Sequence, residues 1–101
     1  MSSATPLPAS ELNALLAKHA ADPNFVILDV RTAEEYADGH LPGAINIDKL
    51  QDDFADKVDA LDRDKTYLLI CRSGRRAKAA AQIMLASSFN RLLILENQGR
   101  G

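Results

Sequence analysis

A single cysteine, Cys71, is the residue of this chain best placed to act as a nucleophile. It follows an apolar segment predicted as a strand, Thr66 to Ile70, and precedes an arginine-rich loop and a segment predicted as a helix from Ala77 to about Ser87. A loop that joins a strand to a helix directs backbone N–H groups inward, and the helix N-terminus carries a partial positive charge. These groups favour the thiolate, which attacks electrophiles or carries transferable sulfur. The competing interpretation is a buried cysteine packed as a small hydrophobic residue.

The distribution of charge suits a small anionic ligand better than a nucleic acid. The formal net charge is -2 and the isoelectric point is near 5.6, whereas a general nucleic-acid-binding protein neutralises phosphates with excess positive charge. Basic residues crowd the segment after Cys71, and aspartates crowd the segment from Asp48 to Asp64. We therefore expect the loop after Cys71 to attract small anions, and we expect no nucleic-acid partner.

Length and composition predict one domain over residues 1–101, with residues 1–9 loosely ordered. The apolar share of 47% and the charged share of 26% are close to ordinary globular usage, so the chain can bury a core. One cysteine cannot form an intrachain disulfide, and the apolar run Tyr67 to Cys71 is far shorter than the ~18 residues of a membrane span. No export signal is visible at the N-terminus. We expect a cytoplasmic protein that does not bind membranes.

Strand and helix patterns alternate along the chain. Ser10 is predicted to cap a first helix, and Thr32 with Glu35 has the spacing of a capping box for a helix over Ala33 to Asp38 that ends at Gly39. A further helix is predicted around Phe54. The predicted strands are Phe25 to Val30, Ala44 to Ile47, Thr66 to Ile70 and Arg91 to Leu95. This alternation predicts an α/β fold with a small parallel, twisted sheet and helices on both faces, in which ligands bind at the carboxyl ends of the strands.

Three segments in this order resemble a single-domain rhodanese, from about Ser10 to Leu95. They are Asp29-Val30-Arg31 with Glu34, Glu35 and Tyr36; Gly39-His40-Leu41-Pro42-Gly43-Ala44; and Cys71-Arg72-Ser73-Gly74-Arg75-Arg76. The resemblance implies a sulfurtransferase that accepts a sulfane sulfur on Cys71 from a donor such as thiosulfate. The persulfide then passes its sulfur to a thiophilic acceptor, either a thiol, cyanide or a sulfur-relay protein.

The loop residues from Arg72 to Arg76 are assigned to substrate binding. Their backbone N–H groups can stabilise the outer sulfur of a persulfide on Cys71. Arg76 is the main candidate for binding the oxygens of the donor, because guanidinium forms paired hydrogen bonds to oxyanions. Arg72 and Arg75 are expected to steer anions from the rim. Ser73 belongs to the same loop, and Gly74 is explained by a backbone conformation that other residues resist.

Four further residues are assigned supporting roles. Asp29 and Arg31 flank the end of a strand and are expected to form an ion pair with Glu35 or a hydrogen bond that supports the loop. His40 is expected to fix a turn rather than to act as a base. One cysteine and two widely separated histidines lack the spacing of metal ligands, so we expect neither a metal site nor another cofactor.

Two features depart from the family pattern. Ala77 stands where rhodaneses commonly carry Ser or Thr, so a hydroxyl next to the loop is absent, and weaker activity is expected. After Leu95 the expected paired glycines and C-terminal helix are missing. A natural abbreviation, a truncated product or a homodimer that covers the exposed sheet face would each account for this second departure.

Two other function classes remain open at this point. Phosphatases and arsenate reductases of related architecture have a loop one residue longer than the four residues between Cys71 and Arg76, so a tetrahedral phosphate would fit poorly here. A non-catalytic rhodanese-like module that binds a protein partner is the second alternative. The intact Cys71 loop favours the enzyme.

Overall fold

The computed structural model describes residues 4–72 and 74–96, which form a parallel sheet flanked by helices. The described strands are β1 Thr5–Leu7, β2 Phe25–Asp29, β3 Ile45–Asn46, β4 Thr66–Ile70 and β5 Leu92–Leu95, in the order β1-β5-β4-β2-β3. The helices are α1 Leu12–Lys18, α2 Ala33–Asp38, α3 Phe54–Asp59 and α4 Arg75–Ala86, and a short 3-10 helix covers Ala9–Glu11. Every strand pair is parallel, which confirms the predicted α/β fold.

The core lies between one face of the sheet and helices α3 and α4. The buried side chains in this cluster include Leu28 in β2 and Val30 just after it, Tyr67 and Leu69 of β4, Leu92 and Ile94 of β5, Phe54 and Val58 of α3, and Ala77, Ala80, Ala81 and Met84 of α4. Small alanines allow α4 to approach the sheet closely, because no bulky side chain separates the two backbones. The beginning of α4 is therefore held against the end of β4, where Cys71 lies.

The other face of the sheet is covered less completely. Leu68 is fully buried there, but Ile27, Ile70, Leu93 and Leu95 are only partly buried. Helix α1 contributes no fully buried residue, although His19 just after it stacks on Phe25 with 4.4 Å between ring centroids. The expected absence of a helix after the last strand concerns residues 97–101, which lie outside the described residues.

The prediction that residues 1–9 are loosely ordered is wrong for the described part of that segment. Thr5–Leu7 forms an edge strand that pairs with Leu93, Ile94 and Leu95, and the Glu96 N–H donates to the Leu7 carbonyl at 2.8 Å. Pro6 is tolerated because an edge strand does not need every N–H. The local sequence gave no strand signal because the pairing partner lies almost a full chain length away.

Strands β2 and β5 are each one residue shorter than predicted, and the larger differences in element boundaries concern α1, α4 and β3. Ser10 lies inside the 3-10 helix and does not cap α1, whose N-cap position makes no side-chain hydrogen bond. Helix α4 begins at Arg75 rather than at Ala77 because Gly74 supplies the turn, and β3 is limited to Ile45 and Asn46. The capping box of Thr32 and Glu35 and the end of α2 before Gly39 are confirmed.

No helix within residues 4–72 and 74–96 combines the length and the apolar character needed to cross a bilayer.

Candidate active site

Cys71 is the first residue after β4, and its sulfur faces the backbone that begins α4. The Sγ atom accepts hydrogen bonds from the N–H of Gly74 at 2.8 Å and from the N–H of Ala77 at 3.3 Å. Gly74 is the N-cap of the 12-residue helix α4 and Ala77 lies in its first turn, where N–H groups have no partner within the helix. The sequence thus places Cys71 where backbone dipoles stabilise negative charge on sulfur.

Gly74 makes this geometry possible. Its φ of +81° is in the left-handed region, which residues with a Cβ rarely adopt. The backbone reverses here and turns the Gly74 N–H toward Sγ before α4 begins at Arg75. The conformational explanation for Gly74 therefore agrees with its position in the structure.

Cys71 is largely buried but opens on one side into a cavity. Its relative exposure is 7%, and it lines a cavity of about 290 Å³ together with Arg31, Glu35, Asp38, Ile70 and Arg72. The volume lies just under the ~300–1,000 Å³ common for small-molecule sites, so the ligand must be small. A compact donor can enter this space to meet the sulfur.

Arg76 forms a bidentate ion pair with Glu35. Its guanidinium donates to the two oxygens of Glu35 at 2.7 and 3.1 Å. This pair, with the Thr32 N–H, lowers the pKa of Glu35 to about 2. The pKa of Arg76 is raised, chiefly by the hydrogen bond to Glu35 and also by the charge of Cys71. Arg76 is not among the described residues that line the cavity, and its contact with donor oxygens stays a prediction.

Arg31 forms its ion pair with Asp29, whereas a pair with Glu35 is expected from the sequence. The Arg31 Nε donates to both Asp29 oxygens at 2.9 and 3.0 Å, and its terminal nitrogen donates to Asp29 at 2.7 Å and to the Gly39 carbonyl at 2.6 Å. The Asp29 hydrogen bond raises the pKa of Arg31. Asp29 is 1% exposed, so this pair neutralises a buried carboxylate at the end of β2.

His40 lies in a turn outside the cavity lining. Its ring stacks on Tyr36 with 3.7 Å between centroids, and Nδ1 donates to the Tyr36 carbonyl at 2.8 Å. The Tyr36 hydroxyl donates to the Ala44 carbonyl, which ties the end of α2 to the approach to β3. This placement agrees with a turn-fixing role and gives His40 no contact with Cys71.

The remaining loop residues divide by position. Arg72 is exposed and lines the cavity, whereas Arg75 is exposed at the start of α4 and is not among the lining residues. Ser73 lies outside the described residues. Ala77 contributes its backbone N–H to Sγ, while its methyl group is fully buried in the core.

Sequence reasoning missed Asp38, Ile70 and Asn46. Asp38 and Ile70 line the cavity, and the Asn46 amide donates to the carbonyls of Asp29 and Arg31 at 2.9 Å each. Asp38 ends α2, and the only available signal was its position one helical turn after Glu34 on a helix already assigned to the site. The local sequence around Asn46 did not indicate a role in the site, because its hydrogen-bond acceptors, the carbonyls of Asp29 and Arg31, lie at least 15 positions earlier in the chain.

The arrangement combines a sulfur atom, inward backbone N–H groups and a small charged cavity. Such a group of features can stabilise a thiolate and then a longer persulfide anion. Within the described residues no three His, Cys, Asp or Glu side chains lie close enough together to hold a metal ion.

Comparison with known proteins places these features in a family. The model of the family described as "Rhodanese-like domain" matches residues 9–98. The Bacillus subtilis protein named "Putative sulfurtransferase YtwF" is 44% identical over 64 residues, which are 63% of this chain and 60% of the relative. The B. subtilis protein named "Putative sulfur carrier protein YrkF" is 32% identical over 90 residues, which are 89% of this chain and 48% of the relative. The chain therefore spans 60% or less of the length of these two relatives.

A solved structure shows the same architecture. The rhodanese-related protein from Thermoplasma volcanium superposes with a TM-score of 0.72 at 25% sequence identity, covering 94% of this chain and 87% of that one.

Proposed function

Because the chain belongs to the rhodanese-like domain family, we propose that it is a sulfurtransferase that carries sulfane sulfur as a persulfide on Cys71. The observation that carries this proposal is the position of Sγ. Sγ accepts hydrogen bonds from two backbone N–H groups at the start of α4, and Cys71 borders a small cavity. We take residues 1–101 as one domain for this activity, in a cytoplasmic setting.

The first half-reaction loads the sulfur. The Cys71 thiolate attacks the outer sulfur of thiosulfate, an Sγ–S bond forms, and the S–S bond of the donor breaks. Sulfite leaves with the electron pair, so no external oxidant is needed. The N–H groups of Gly74 and Ala77 support the negative charge before attack, and Arg72 at the cavity lining attracts the oxygens of the donor.

The second half-reaction discharges the sulfur. A thiol or cyanide attacks the outer sulfur of the persulfide, and Sγ leaves as a thiolate with the electron pair. The leaving sulfur returns to the same N–H groups, which favours its departure as an anion. Similarity to a protein named as a sulfur carrier supports a relay protein as an alternative acceptor.

Loading of Cys71 tests the proposal directly. The purified chain is incubated with thiosulfate and its intact mass is measured. We expect the mass of one added sulfur atom, its removal by cyanide with release of thiocyanate, and no loading of C71S. A circular dichroism spectrum of C71S that matches the parent chain shows that the loss is chemical.

Failure of the folded chain to load from thiosulfate or from a cysteine desulfurase would overturn the proposal and favour a non-catalytic binding module. Loading from the desulfurase alone would retain the persulfide and reject thiosulfate as the donor. Turnover of a generic aryl phosphate that depends on Cys71 would instead favour a phosphatase.

A further inference from the structure

Two opposite charges on the cavity wall have no partner within the described part of the chain. Four charged side chains line the cavity: Arg31, Glu35, Asp38 and Arg72. Arg31 is neutralised by Asp29 and Glu35 by Arg76. The side chains of Asp38 and Arg72 form no hydrogen bond or ion pair with any residue in 4–72 or 74–96. The cavity therefore presents one uncompensated carboxylate and one uncompensated guanidinium beside Cys71.

This charge pattern suits a ligand that carries both signs. A purely anionic donor uses Arg72 but is repelled by Asp38. A molecule with an ammonium and a carboxylate satisfies both side chains at once. Ile70 supplies an apolar surface in the same cavity, which matches a methylene group between the charged end and a reacting atom.

We propose that the sulfur acceptor is a zwitterionic amino-acid thiol, with free cysteine as the simplest example. Asp38 binds its ammonium group and Arg72 binds its carboxylate. This inference rests on the proposed persulfide chemistry of Cys71 and adds the acceptor class and a specificity-determining residue, Asp38. A cavity of about 290 Å³ has the volume of roughly ten water molecules at ~30 Å³ each, which is enough for one amino acid.

The transfer step balances without a further reagent. The thiolate of the acceptor attacks the outer sulfur of the Cys71 persulfide and forms a new S–S bond. The Sγ–S bond breaks and the electron pair stays on Sγ, which returns to the hydrogen bonds from Gly74 and Ala77. The product is the persulfide of the amino-acid thiol.

Asp38 must then act in opposite directions in the two half-reactions. Its charge repels thiosulfate during loading and attracts an ammonium-bearing thiol during discharge. D38N is therefore expected to load from thiosulfate about three- to tenfold faster and to discharge to cysteine about three- to tenfold more slowly. A purely structural role for Asp38 would lower both rates.

The experiment measures the two half-reactions separately by rapid quenching and intact mass. Loading uses thiosulfate, and discharge of the preloaded protein uses cysteine, N-acetylcysteine, cysteamine and cyanide. Each rate is expressed as the ratio of parent to variant, so that the intrinsic reactivity of each thiol cancels. For D38N we expect slower discharge to cysteine and cysteamine, which have an ammonium, and discharge to the anionic N-acetylcysteine and cyanide that is as fast as in the parent chain or faster.

Three controls sharpen the result. E34Q removes the same charge from the same helix at an exposed residue outside the cavity lining, and it should leave all ratios within about twofold. D38E should restore the discrimination. R72Q should slow discharge to cysteine and N-acetylcysteine, which carry a carboxylate, relative to cysteamine.

Equal discharge ratios for all acceptors in D38N, with Cys71 loading intact, would overturn the acceptor assignment and leave the sulfurtransferase proposal standing. A parent chain that never loads would remove the proposed function itself. Thermal unfolding of D38N at the parent temperature excludes a folding defect.

Discussion

Glu35 and Arg76 lie 41 positions apart and are joined by two hydrogen bonds between α2 and the first turn of α4. The first turn of α4 also supplies the Ala77 N–H to Cys71. The pair therefore connects the capping box at the start of α2 to the backbone that surrounds the reactive sulfur.

The first prediction concerns the strength of this pair. A double-mutant cycle of E35Q and R76M should give a coupling free energy of about 1–2 kcal/mol from urea unfolding, because the pair is bidentate and partly buried. The control cycle uses the exposed pair of Asp53, which precedes α3, and Lys57, which lies in it; a coupling of about 0.5 kcal/mol or less is expected there. Equal couplings in the two cycles would show that the long-range pair is merely a surface contact.

The second prediction is a pH dependence of stability. The pKa of Glu35 is about 2 in the folded chain and near 4.5 in an unfolded one, so the unfolded state binds a proton first as pH falls. The stability contributed by the ionised carboxylate is complete above about pH 5 and is lost between about pH 4.5 and 2. The free energy of unfolding of the parent minus that of E35Q should therefore be constant from pH 5 to 7 and shrink toward zero near pH 2. A difference that grows on acidification would contradict this sign.

The third prediction concerns the buried carboxylate of Asp29. R31M should destabilise the fold by about 3–5 kcal/mol, because it leaves an uncompensated charge that is 1% exposed. Adding D29N should recover part of that loss, since the amide is neutral and its oxygen can still accept the hydrogen bond from the backbone N–H of residue 31. Chemical denaturation of the single and double variants tests this order. A double variant less stable than R31M would count against the explanation.

The fourth prediction concerns Gly74. The space around an added Cβ is open, so the cost of G74A comes from its φ of +81° alone, about 1 kcal/mol. G74N should cost less because Asn tolerates the left-handed region. Both variants are compared by thermal unfolding and by the rate of Cys71 loading. An Asn variant less stable than the Ala variant would argue that backbone conformation is not what Gly74 provides.

Local patterns predicted much of the fold. The capping box involves only residues within a four-residue segment, Thr32 to Glu35, so the local sequence is enough to predict it, and the structure confirms it. The central strands follow from short apolar runs with strand-forming residues. By contrast, β1 depends on a partner strand near the other end of the chain, and nothing within Thr5–Leu7 reveals that partner.

The sequence identified several residues that lie together at the candidate site, but it did not show which side chains form ion pairs with one another. Cys71, Gly74 and the arginines all lie close to one another, but spacing alone could not show which carboxylate each arginine meets. Arg31 reaches back two residues to Asp29, which leaves Glu35 for Arg76. Asp38 escaped notice because a carboxylate that ends a surface helix has no distinguishing pattern until the cavity is seen.

The depth at which Cys71 lies has a consequence for selectivity among electrophiles. With only 7% of the residue accessible, a bulky alkylating reagent or the disulfide of a folded protein cannot readily approach Sγ, whereas a compact inorganic donor can. In the proposed persulfide, the added sulfur would lie one bond length beyond Sγ and would be the atom that an acceptor contacts. On this proposal, burial shields the unloaded thiol from large reagents, whereas the transferable sulfur is the atom that meets the acceptor.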